Sequence, residues 1–297
     1  MKANNKQKQT EEEKSYKERW ENVRKKLKGR KYYDIIYQYD KETWGEGINI
    51  FQERLDNYFF NSIEKIIIEG QSKGEGFAVV TLECAVIEMF SAFQKGLIFI
   101  PKNSTTPIPP KYTYGSDPNN PQHNGSKDMF LNFLYNASIF EGIFWKKNAT
   151  KKIKDLPFSA SDFYKNVRCG LMHEARTKDI WTINVKSKCS CDFEGKKKKL
   201  QEYKSLLTKK DKNNEWEKNF DNLRNTIYKD ILFLEKNSSV PQIKVYRDYL
   251  FLALLLYLIE YSNKLQKGKE KGLRRKFARC MDHLFDFTPE DGGEWWK

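Results

Sequence analysis

The chain has 297 residues and a formal net charge of +14, with 39% hydrophobic, 32% charged and 14% aromatic residues. Its 20 Phe, 16 Tyr and 7 Trp can bury enough area for a packed core, in one large domain or two smaller ones. Five Cys argue against a disulfide framework, and Cys189 and Cys191 lack a second ligand pair at zinc-finger spacing. We therefore expect no metal and no other cofactor.

The cysteine usage fits a reducing cytoplasm. Residues 1–9 are polar and contain no apolar segment of a secretory signal. The most apolar run, 249–259, is too short to span a bilayer and favours a buried core helix. A cytoplasmic protein without a membrane segment is therefore expected.

Basic residues are concentrated in three blocks. Residues 1–31 hold twelve Lys and Arg against five acidic residues, 186–212 hold ten against four, and 264–279 hold eight against one. This balance favours a polyanionic partner, nucleic acid before an anionic membrane. Lysines that merely keep every face solvated give the same count, so both interpretations stay open.

In chain order, the pattern first predicts helices that differ in burial. Residues 11–28 are charged and helix-forming with few recurring apolar positions, which predicts a solvated or partner-binding arm. Residues 48–69 are typical of an amphipathic helix, and 70–76 predict a glycine-rich turn. Residues 77–95 are apolar nearly all round, which predicts a buried helix that ends at Gly96.

The middle of the chain predicts a loop and two more helices. Residues 101–127 are rich in proline and long enough to form a functional or mobile loop. A third apolar helix is predicted over 128–144. A fourth begins near residue 161, after Ser159 or Ser161 as N-cap.

A small β insertion is predicted next. Residues 181–186 alternate and contain β-branched side chains, which favours a strand, and a turn at 191–199 precedes a short partner strand. Three further helices complete the pattern: 213–236, 241–266, which is the most buried, and 270–286. The predicted fold class is mainly α, a helical bundle with a small β insertion around 180–200.

Arg168 and His173 are the residues best suited to chemistry. Arginine can neutralise a phosphorane and histidine can move a proton near pH 7, so the pair suffices to cut a ribose-phosphate backbone without a metal. On an ideal helix the two side chains lie about 140° apart, and His173 points away from the core stripe. The core stripe consists of three residues: Tyr164, Val167 and Leu171. For Arg168 and His173 to converge, the site therefore requires the long Arg168 side chain, a bend at Gly170 or a second subunit.

The structural alternative is a surface histidine at a helix C-terminus and an arginine that only pairs with a buried acid. The helix over 77–95 bears on this choice, because it holds Glu83 and Glu88 among apolar residues. A buried carboxylate is costly unless it finds a partner. Glu88 lies on a side of small residues that permits close approach of a second helix, so it can hold Arg168. Alternatively, Glu83 or Glu88 simply reaches the surface.

The segment 163–176, which contains Asn166, Arg168 and His173 and follows a buried helix with an embedded glutamate, resembles the HEPN superfamily. Ribonuclease members of that family carry an arginine and, a few residues later, a histidine. The resemblance implies a homodimer in which two copies of the motif face each other and cut single-stranded RNA or tRNA without a metal. Cys169 departs from the family, because many active members have Asn, Asp or His there.

Carried over by position, Arg168 would bind and stabilise the scissile phosphate, and His173 would act as general acid and base or position the phosphate. The resemblance implies the following supporting residues: Glu83, Glu88, Tyr164, Asn166 and Cys169. Nearby cations are expected to contact RNA: Lys165, Arg176 and Lys178. The predicted domains are a basic N-terminal helical arm (1–45), a HEPN-like helical domain (46–266) and a basic C-terminal helix with a tail (267–297).

The leading hypothesis is a metal-independent endoribonuclease of antiphage defence or of a toxin–antitoxin system, with RNA, a second copy and an antitoxin or defence protein as partners. A second hypothesis is a non-catalytic module that binds RNA or protein, with Cys169 marking lost activity. A third is a structural member of a multi-protein system, recruited through the N-terminal arm or the tail at 295–296. Tyr164 and Trp181 are candidates to stack on bases, or belong to the core.

Overall fold

Helices account for most of the structure, a computed structural model that describes residues 11–28, 41–70, 74–101, 108–115, 125–145, 158–187, 190–207, 214–236, 240–270 and 272–287. The side chains at 110, 190, 203–207 and 214–220 lie outside that description, as do Cys189 and the tail at 295–296. The mainly α fold class is confirmed.

The α-helices are α1 (Glu11–Lys28), α2 (Lys41–Leu55), α3 (Asn61–Glu69), α4 (Glu75–Lys95), α5 (Ser126–Asn136), α6 (Ala160–Phe163), α7 (Gly170–Glu174), α8 (Ser190–Leu207), α9 (Asn214–Lys229), α10 (Arg247–Lys267) and α11 (Leu273–Leu284). Two π-helical segments continue the backbone between α2 and α3 (Asp56–Phe60) and between α6 and α7 (Tyr164–Cys169). The strands are β1 (Ile98–Phe99), β2 (Thr113–Tyr114), β3 (Trp181–Asn184), β4 (Leu232–Glu235) and β5 (Gln242–Tyr246).

The early helices follow their hydrophobic pattern. The helix predicted over 48–69 begins at Lys41, because Trp44 continues its buried stripe by one turn. Helix α4 ends as predicted at Gly96, whose φ of 68° lies in the left-handed region that glycine adopts most easily. The helix predicted over 128–144 is wrong beyond Asn136, since Ala137 is extended and its carbonyl accepts a hydrogen bond from Trp145 Nε1 at 3.0 Å.

The predicted loop at 101–127 contains local order in its described parts. A 3₁₀ turn covers Pro110–Tyr112, and β2 then pairs in parallel with β1. Residues 102–107 and 116–124 lie outside the described part of the chain. The loop thus returns to the C-terminal end of α4 before α5 begins.

The β insertion is distributed differently from the prediction. Strand β3 is present, but the turn at 191–199 and the partner strand after it are wrong, because those residues belong to α8. The helical period there buries Phe193 and Leu200, seven residues apart. The other two strands of its sheet come from the ends of the helices predicted at 213–236 and 241–266: β5 pairs with β3 in parallel and with β4 antiparallel.

Helix α1 is part of the core, which corrects the expectation of a solvated arm. It buries Tyr16, Trp20, Val23 and Leu27 along one face and packs on α2. Four large side chains at helical spacing are enough for this, although the other positions are charged. The boundaries at 45 and 266 stay a prediction, while α1 and α11 belong to the same hydrophobic cluster as the helices between them.

Aromatic side chains supply much of the core, as the composition suggests. The Phe51 ring lies 4.5 Å from Phe93 and 5.5 Å from Phe277, centroid to centroid, so α2, α4 and α11 meet at one cluster. The Tyr257 ring of α10 lies 4.9 Å from Phe90 and 4.7 Å from Phe133. Such pairs add to the burial of their large surfaces.

Two findings concern membrane-spanning helices and the oxidation state of the cysteines. Among the described residues, α4 is the one helix long and apolar enough to cross a membrane by length and composition, and half of its most apolar window is buried inside the protein. Cys191 is disulfide-bonded, whereas Cys84, Cys169 and Cys280 are free. The structure thus has a disulfide at a position where the low cysteine count predicts none.

Asp282 joins the two ends of the chain. Its Oδ1 accepts a hydrogen bond from Trp20 Nε1 at 2.9 Å. The same oxygen lies 2.7 Å from Arg24 Nε, an ion pair by distance although the N–H direction does not suit a hydrogen bond. All three side chains are buried, so α1 and α11 depend on this carboxylate.

We expect Asp282→Ala to lower the free energy of unfolding by about 3–5 kcal/mol, because it leaves the Arg24 guanidinium buried without its partner. Urea denaturation measures the effect. Glu21→Ala is the control, since its partner Lys25 is exposed and such an exposed pair contributes little to stability. Equal losses in the two variants would contradict the role of Asp282.

Candidate functional site

A cavity of about 500 Å³ lies between α4, the β1–β2 pair and α11. One face of α4 provides its longest wall: Cys84, Ala85, Glu88, Met89, Ala92 and Phe93. The segment after α4 and β2 contribute Leu97, Ile98, Phe99 and Tyr114, and α11 contributes Cys280, His283 and Leu284. Ser126, Arg168 and Met172 complete the lining, which is mostly apolar. A concave apolar cavity with a few polar groups is the usual form of a binding site.

Arg168 is held at this cavity by two contacts. Its Nη2 donates a hydrogen bond to Glu88 Oε2 at 3.3 Å, so the contact expected between these residues is present. Its guanidinium also lies 5.5 Å from the centroid of the Tyr164 ring, within reach of a cation–π interaction. Both Arg168 and Glu88 keep 18% of their side-chain surface exposed, so the ion pair remains accessible from the cavity.

The electrostatics keep Arg168 charged. Burial alone would lower the pKa of its guanidinium, but Tyr164 and Glu88 outweigh that effect and raise the pKa. Burial raises the pKa of the Tyr164 phenol to about 12, and the side-chain hydrogen bond with Cys169 acts in the same direction. At neutral pH the site therefore presents a fixed cation beside a neutral phenol.

A π-helical segment positions Arg168, which the ideal helical wheel does not foresee. Residues Tyr164–Cys169 adopt this conformation, which widens the turn that carries the arginine. Short π segments occur often at functional sites. Ser159 accepts a hydrogen bond from the backbone N–H of Asp162 at 3.2 Å, so Ser159 rather than Ser161 is the N-cap.

His173 is not brought to Arg168 within one chain. It lies on α7, is exposed and does not line the cavity, whereas its neighbour Met172 does. The expectation that His173 points away from its own core is therefore confirmed. The bend at Gly170 does not occur, because Gly170 has a helical φ of −58° and ψ of −47°.

Gly170 instead permits a close backbone contact. A Cβ atom there would lie 2.5 Å from the carbonyl oxygen of Arg176. The chain reverses at Ala175, whose φ is 52°, and the N–H of Lys178 donates to the Asn166 carbonyl at 2.9 Å. The absence of a side chain at Gly170 thus lets the segment after α7 fold back on the π segment.

The remaining candidates lie around Arg168 with different exposure. Asn166 is buried, Cys169 is half-buried and Lys165 is exposed. Arg176 and Lys178 both pair with Glu174 near the surface, where such pairs contribute little to stability. Trp181 is buried, with its ring 5.6 Å from that of Phe163, so of its two expected roles the core role is confirmed.

Glu83 and Glu88 differ sharply although they share a helix. Glu83 is completely buried and does not line the cavity, and within the described residues neither of its oxygens has a hydrogen-bond partner. Burial raises the pKa of its carboxyl well above the ordinary value, Asp248 raises it further, and Arg247 partly offsets this. Glu83 is therefore a neutral acid of the core, which corrects its assignment as a residue that supports Arg168.

His283 lines the cavity, and the sequence reasoning missed it. His283 is exposed, yet partial desolvation of its ring lowers its pKa, an effect that Asp286 partly offsets. The ring is therefore mainly neutral at pH 7 and can both donate and accept a hydrogen bond. The spacing of Cys280, His283 and Leu284 on one face of a helix was the available signal.

The two thiols of the cavity are poor nucleophiles. Burial raises the pKa of Cys84 and raises that of Cys280 to about 12, so both are protonated at neutral pH. Within the described residues, no group of three or more His, Cys, Asp or Glu is arranged to hold a metal ion.

Comparison with protein families, with curated proteins and with solved structures finds no match to this chain.

Glu83 makes the stability of the fold depend on pH. The unfolded chain ionises this carboxyl above its ordinary pKa of 4.5, while the folded chain keeps it protonated to a much higher pH. Its contribution to stability is therefore present at low pH and is lost as pH rises from about 4.5 toward the folded pKa. We expect Glu83→Gln to unfold at a higher urea concentration than the wild type at pH 8, with little difference near pH 4.5.

Glu88→Gln is the matched control on α4, because it weakens the half-exposed pair with Arg168 and is expected to gain no stability at pH 8. Parallel pH profiles for the wild type and Glu83→Gln would contradict a neutral Glu83.

Gly170→Ala is expected to lower the free energy of unfolding by about 1–3 kcal/mol, because the new methyl group meets backbone atoms that cannot move aside separately. Gly195→Ala, within α8 and with nothing inside 4 Å of its added Cβ, is the control. That control is expected to be neutral or to gain up to about 1 kcal/mol from helix propensity. Urea titrations compare the two, and a neutral Gly170→Ala would rule out the tight contact.

Proposed function

We propose that the chain is a metal-independent endoribonuclease for single-stranded RNA or tRNA, in which Arg168 binds the scissile phosphate and His173 of a second copy transfers the proton. The observation that carries the proposal is that Arg168 is oriented at the cavity while most of its N–H groups are left for a ligand. The arginine is oriented by Glu88 and Tyr164 but uses one Nη2 hydrogen bond to do so. Among the described residues, no other hydrogen bond of the Arg168 side chain is formed, so its other N–H groups can bind a phosphate.

RNA cleavage requires a cation at the phosphate and a group that transfers protons, which Arg168 and His173 supply. The 2′-hydroxyl attacks the neighbouring phosphorus, and negative charge develops on the phosphorane oxygens, where a preoriented guanidinium stabilises it. A histidine removes the 2′-hydroxyl proton or gives a proton to the leaving 5′-oxygen. Exposed and at the end of α7, His173 is free to reach a phosphate held at another surface.

A second copy would supply His173, which one chain does not bring to the cavity; the histidine that does line it, His283, comes from α11. Met172, beside His173, lies at the cavity and is 52% exposed, and Phe99 nearby is 46% exposed. Exposed apolar side chains at the edge of a cavity favour contact with another surface. An interface at this edge would bring the partner's His173 toward Arg168.

The distribution of charge supports an RNA substrate. The described part of the first basic block lies on α1, and that of the third lies on the end of α10 and on α11. Helices α1 and α11 meet at Asp282, and α11 also forms a wall of the cavity. In the second block, Lys197 of α8 pairs with Glu64 of α3. One basic helix, α11, thus lines the cavity together with Arg168, which favours a polyanion over a small neutral substrate.

A role in antiphage defence or as a toxin, with a neutralising protein partner and in the cytoplasm, is proposed on the resemblance of the segment 163–176 alone. The second candidate is a non-catalytic module that binds RNA. The half-buried Cys169, which takes the position where active members carry a polar residue, favours that candidate.

The test uses purified protein with a single-stranded RNA and with total tRNA, in the presence and absence of EDTA. We expect wild-type cleavage in EDTA and a loss of at least about a hundredfold in Arg168→Ala and His173→Ala, the range of a lost proton-transfer or oxyanion group. Arg54→Ala is the matched control, because Arg54 also pairs with a glutamate, Glu13, and also lies over a tyrosine ring, Tyr58.

Mixing the two inactive variants tests the shared site. A mixed pair of subunits combines an intact Arg168 with an intact His173, so partial activity is expected to return. Cleavage by a strictly monomeric protein, or by the double variant, would overturn the proposal. RNA binding without products would support the non-catalytic candidate.

A further inference from the structure

The cavity beside Arg168 has features that the cleavage chemistry does not use. Its walls carry an aromatic pair, with the Phe99 and Tyr114 rings 5.4 Å apart and nearly edge to face. Tyr114 is buried whereas Phe99 is 46% exposed, so one face of an aromatic ring remains open to a ligand. Ser126 and the neutral His283 add hydrogen-bonding groups to an otherwise apolar lining.

A pair of lysines lies beyond the residues that line this site. Lys95 follows Glu88 and Ala92 on the same face of α4, and Lys276 precedes Cys280 and His283 on the same face of α11. The two lysines are near neighbours, because a Cβ atom at Gly96, directly after Lys95, would lie 2.8 Å from Lys276 Cα. Burial and then the charge of Lys276 lower the pKa of Lys95. In the part of the chain that the structure describes, neither lysine forms an ion pair with an acidic side chain.

The cations therefore stand at two places: Arg168 lines the cavity, and the two lysines lie just beyond the lining residues Ala92 and Cys280. Seven residues separate Glu88, which holds Arg168, from Lys95, a distance of about 10 Å along the helix axis. The apolar walls and the exposed Phe99 ring belong to the same cavity. A ligand that matches this pattern has negative charges at both ends and a flat apolar ring between them.

We infer that the cavity binds one unstacked nucleotide of single-stranded RNA, with its base on Phe99, one phosphate at Arg168 and the neighbouring phosphate at Lys95 and Lys276. The inference rests on the proposed function for its substrate class and adds the subsite that would receive a base. Single-stranded RNA is commonly recognised by bases that leave the stack and lie on aromatic side chains. His283 and Ser126 then hydrogen-bond the base edge.

The test is equilibrium binding of a short fluorescent single-stranded RNA, in EDTA and in a His173→Ala background so that the RNA stays intact. Phe99→Ala is expected to weaken binding about tenfold, the size of one lost stacking contact. Its control is Phe233→Ala, a phenylalanine 47% exposed on β4 and away from the cavity. Lys95→Ala and Lys276→Ala are each expected to weaken binding and to lower its salt dependence by about one phosphate contact.

A second variant covers the case in which Phe99→Ala disturbs β1. Ala85 is exposed and lines the cavity, so Ala85→Phe fills the site without removing a core residue. Ala78→Phe, exposed on the same helix but not at the cavity, is its control. Ala85→Phe is expected to weaken binding about tenfold and Ala78→Phe to leave it unchanged.

Two further ligands test whether the cavity recognises the base of an RNA chain, the phosphate backbone alone or a free nucleotide. The first ligand is an RNA of equal length made of abasic nucleotides. It is expected to bind the wild type and Phe99→Ala equally well, because it has no base that could stack on Phe99. A free nucleoside monophosphate is expected to compete with the RNA, but at much higher concentration. Binding of the free nucleotide without any binding of the RNA would overturn the RNA assignment.

The outcomes separate this inference from the proposed function. If RNA binds Phe99→Ala and Ala85→Phe as tightly as the wild type, the nucleotide subsite is wrong while cleavage at Arg168 stands. If binding depends on Phe99 and Ala85 but no variant or wild type cleaves RNA, the endoribonuclease proposal is wrong while the subsite stands.

Discussion

The ion pair between Arg168 and Glu88 sets the geometry of the candidate site. It joins the π segment that carries the arginine to the wall of the cavity that α4 provides. Because the pair is half-buried, the carboxylate orients the guanidinium while solvent still reaches it. A fully buried pair would be unreachable, and a fully exposed one would leave the arginine free to rotate. The position of the cation relative to the cavity therefore depends on this contact between two helical segments, together with the Tyr164 ring beside it.

Helix α4 carries two carboxylates with opposite consequences. Glu88 faces the cavity and finds a cation, whereas Glu83 faces the core and stays neutral. The two side chains are five residues apart, so a helix must direct them to different sides. The cost of burying Glu83 is tolerated beside Arg247 and Asp248, and Asp248 itself accepts hydrogen bonds from the backbone N–H groups of Lys186 and Ser187.

Local periodicity predicted the helices well where the buried stripe is long. Helix α4 and its end at Gly96 follow directly from apolar spacing and a glycine that tolerates a positive φ. The pairing of β3 with β5 was not predictable in this way, because the partner lies about sixty residues further along and each strand is short. Strand β4 begins shortly after α9 ends, and β5 directly precedes α10. The residues of both strands were therefore included in the predicted helices.

The candidate site was predicted in part. The contact of Glu88 with Arg168 followed from the small residues around Glu88, which allow two helices to approach. The π segment was missed because the helical wheel assumes a constant rotation per residue. His283 was missed because it comes to the cavity from α11, and a single amphipathic pattern does not reveal which neighbour its face meets.

Trp20 and Asp282 are 262 positions apart in the chain, so the order of synthesis determines when their contact can form. During synthesis α1, α4 and the arginine-bearing segment emerge before α11, which supplies the wall with His283 and Leu284. Trp20 and Arg24 can make their contacts with Asp282 only after α11 has emerged. The cavity is therefore completed late in folding, when α11 packs against α1 and α4.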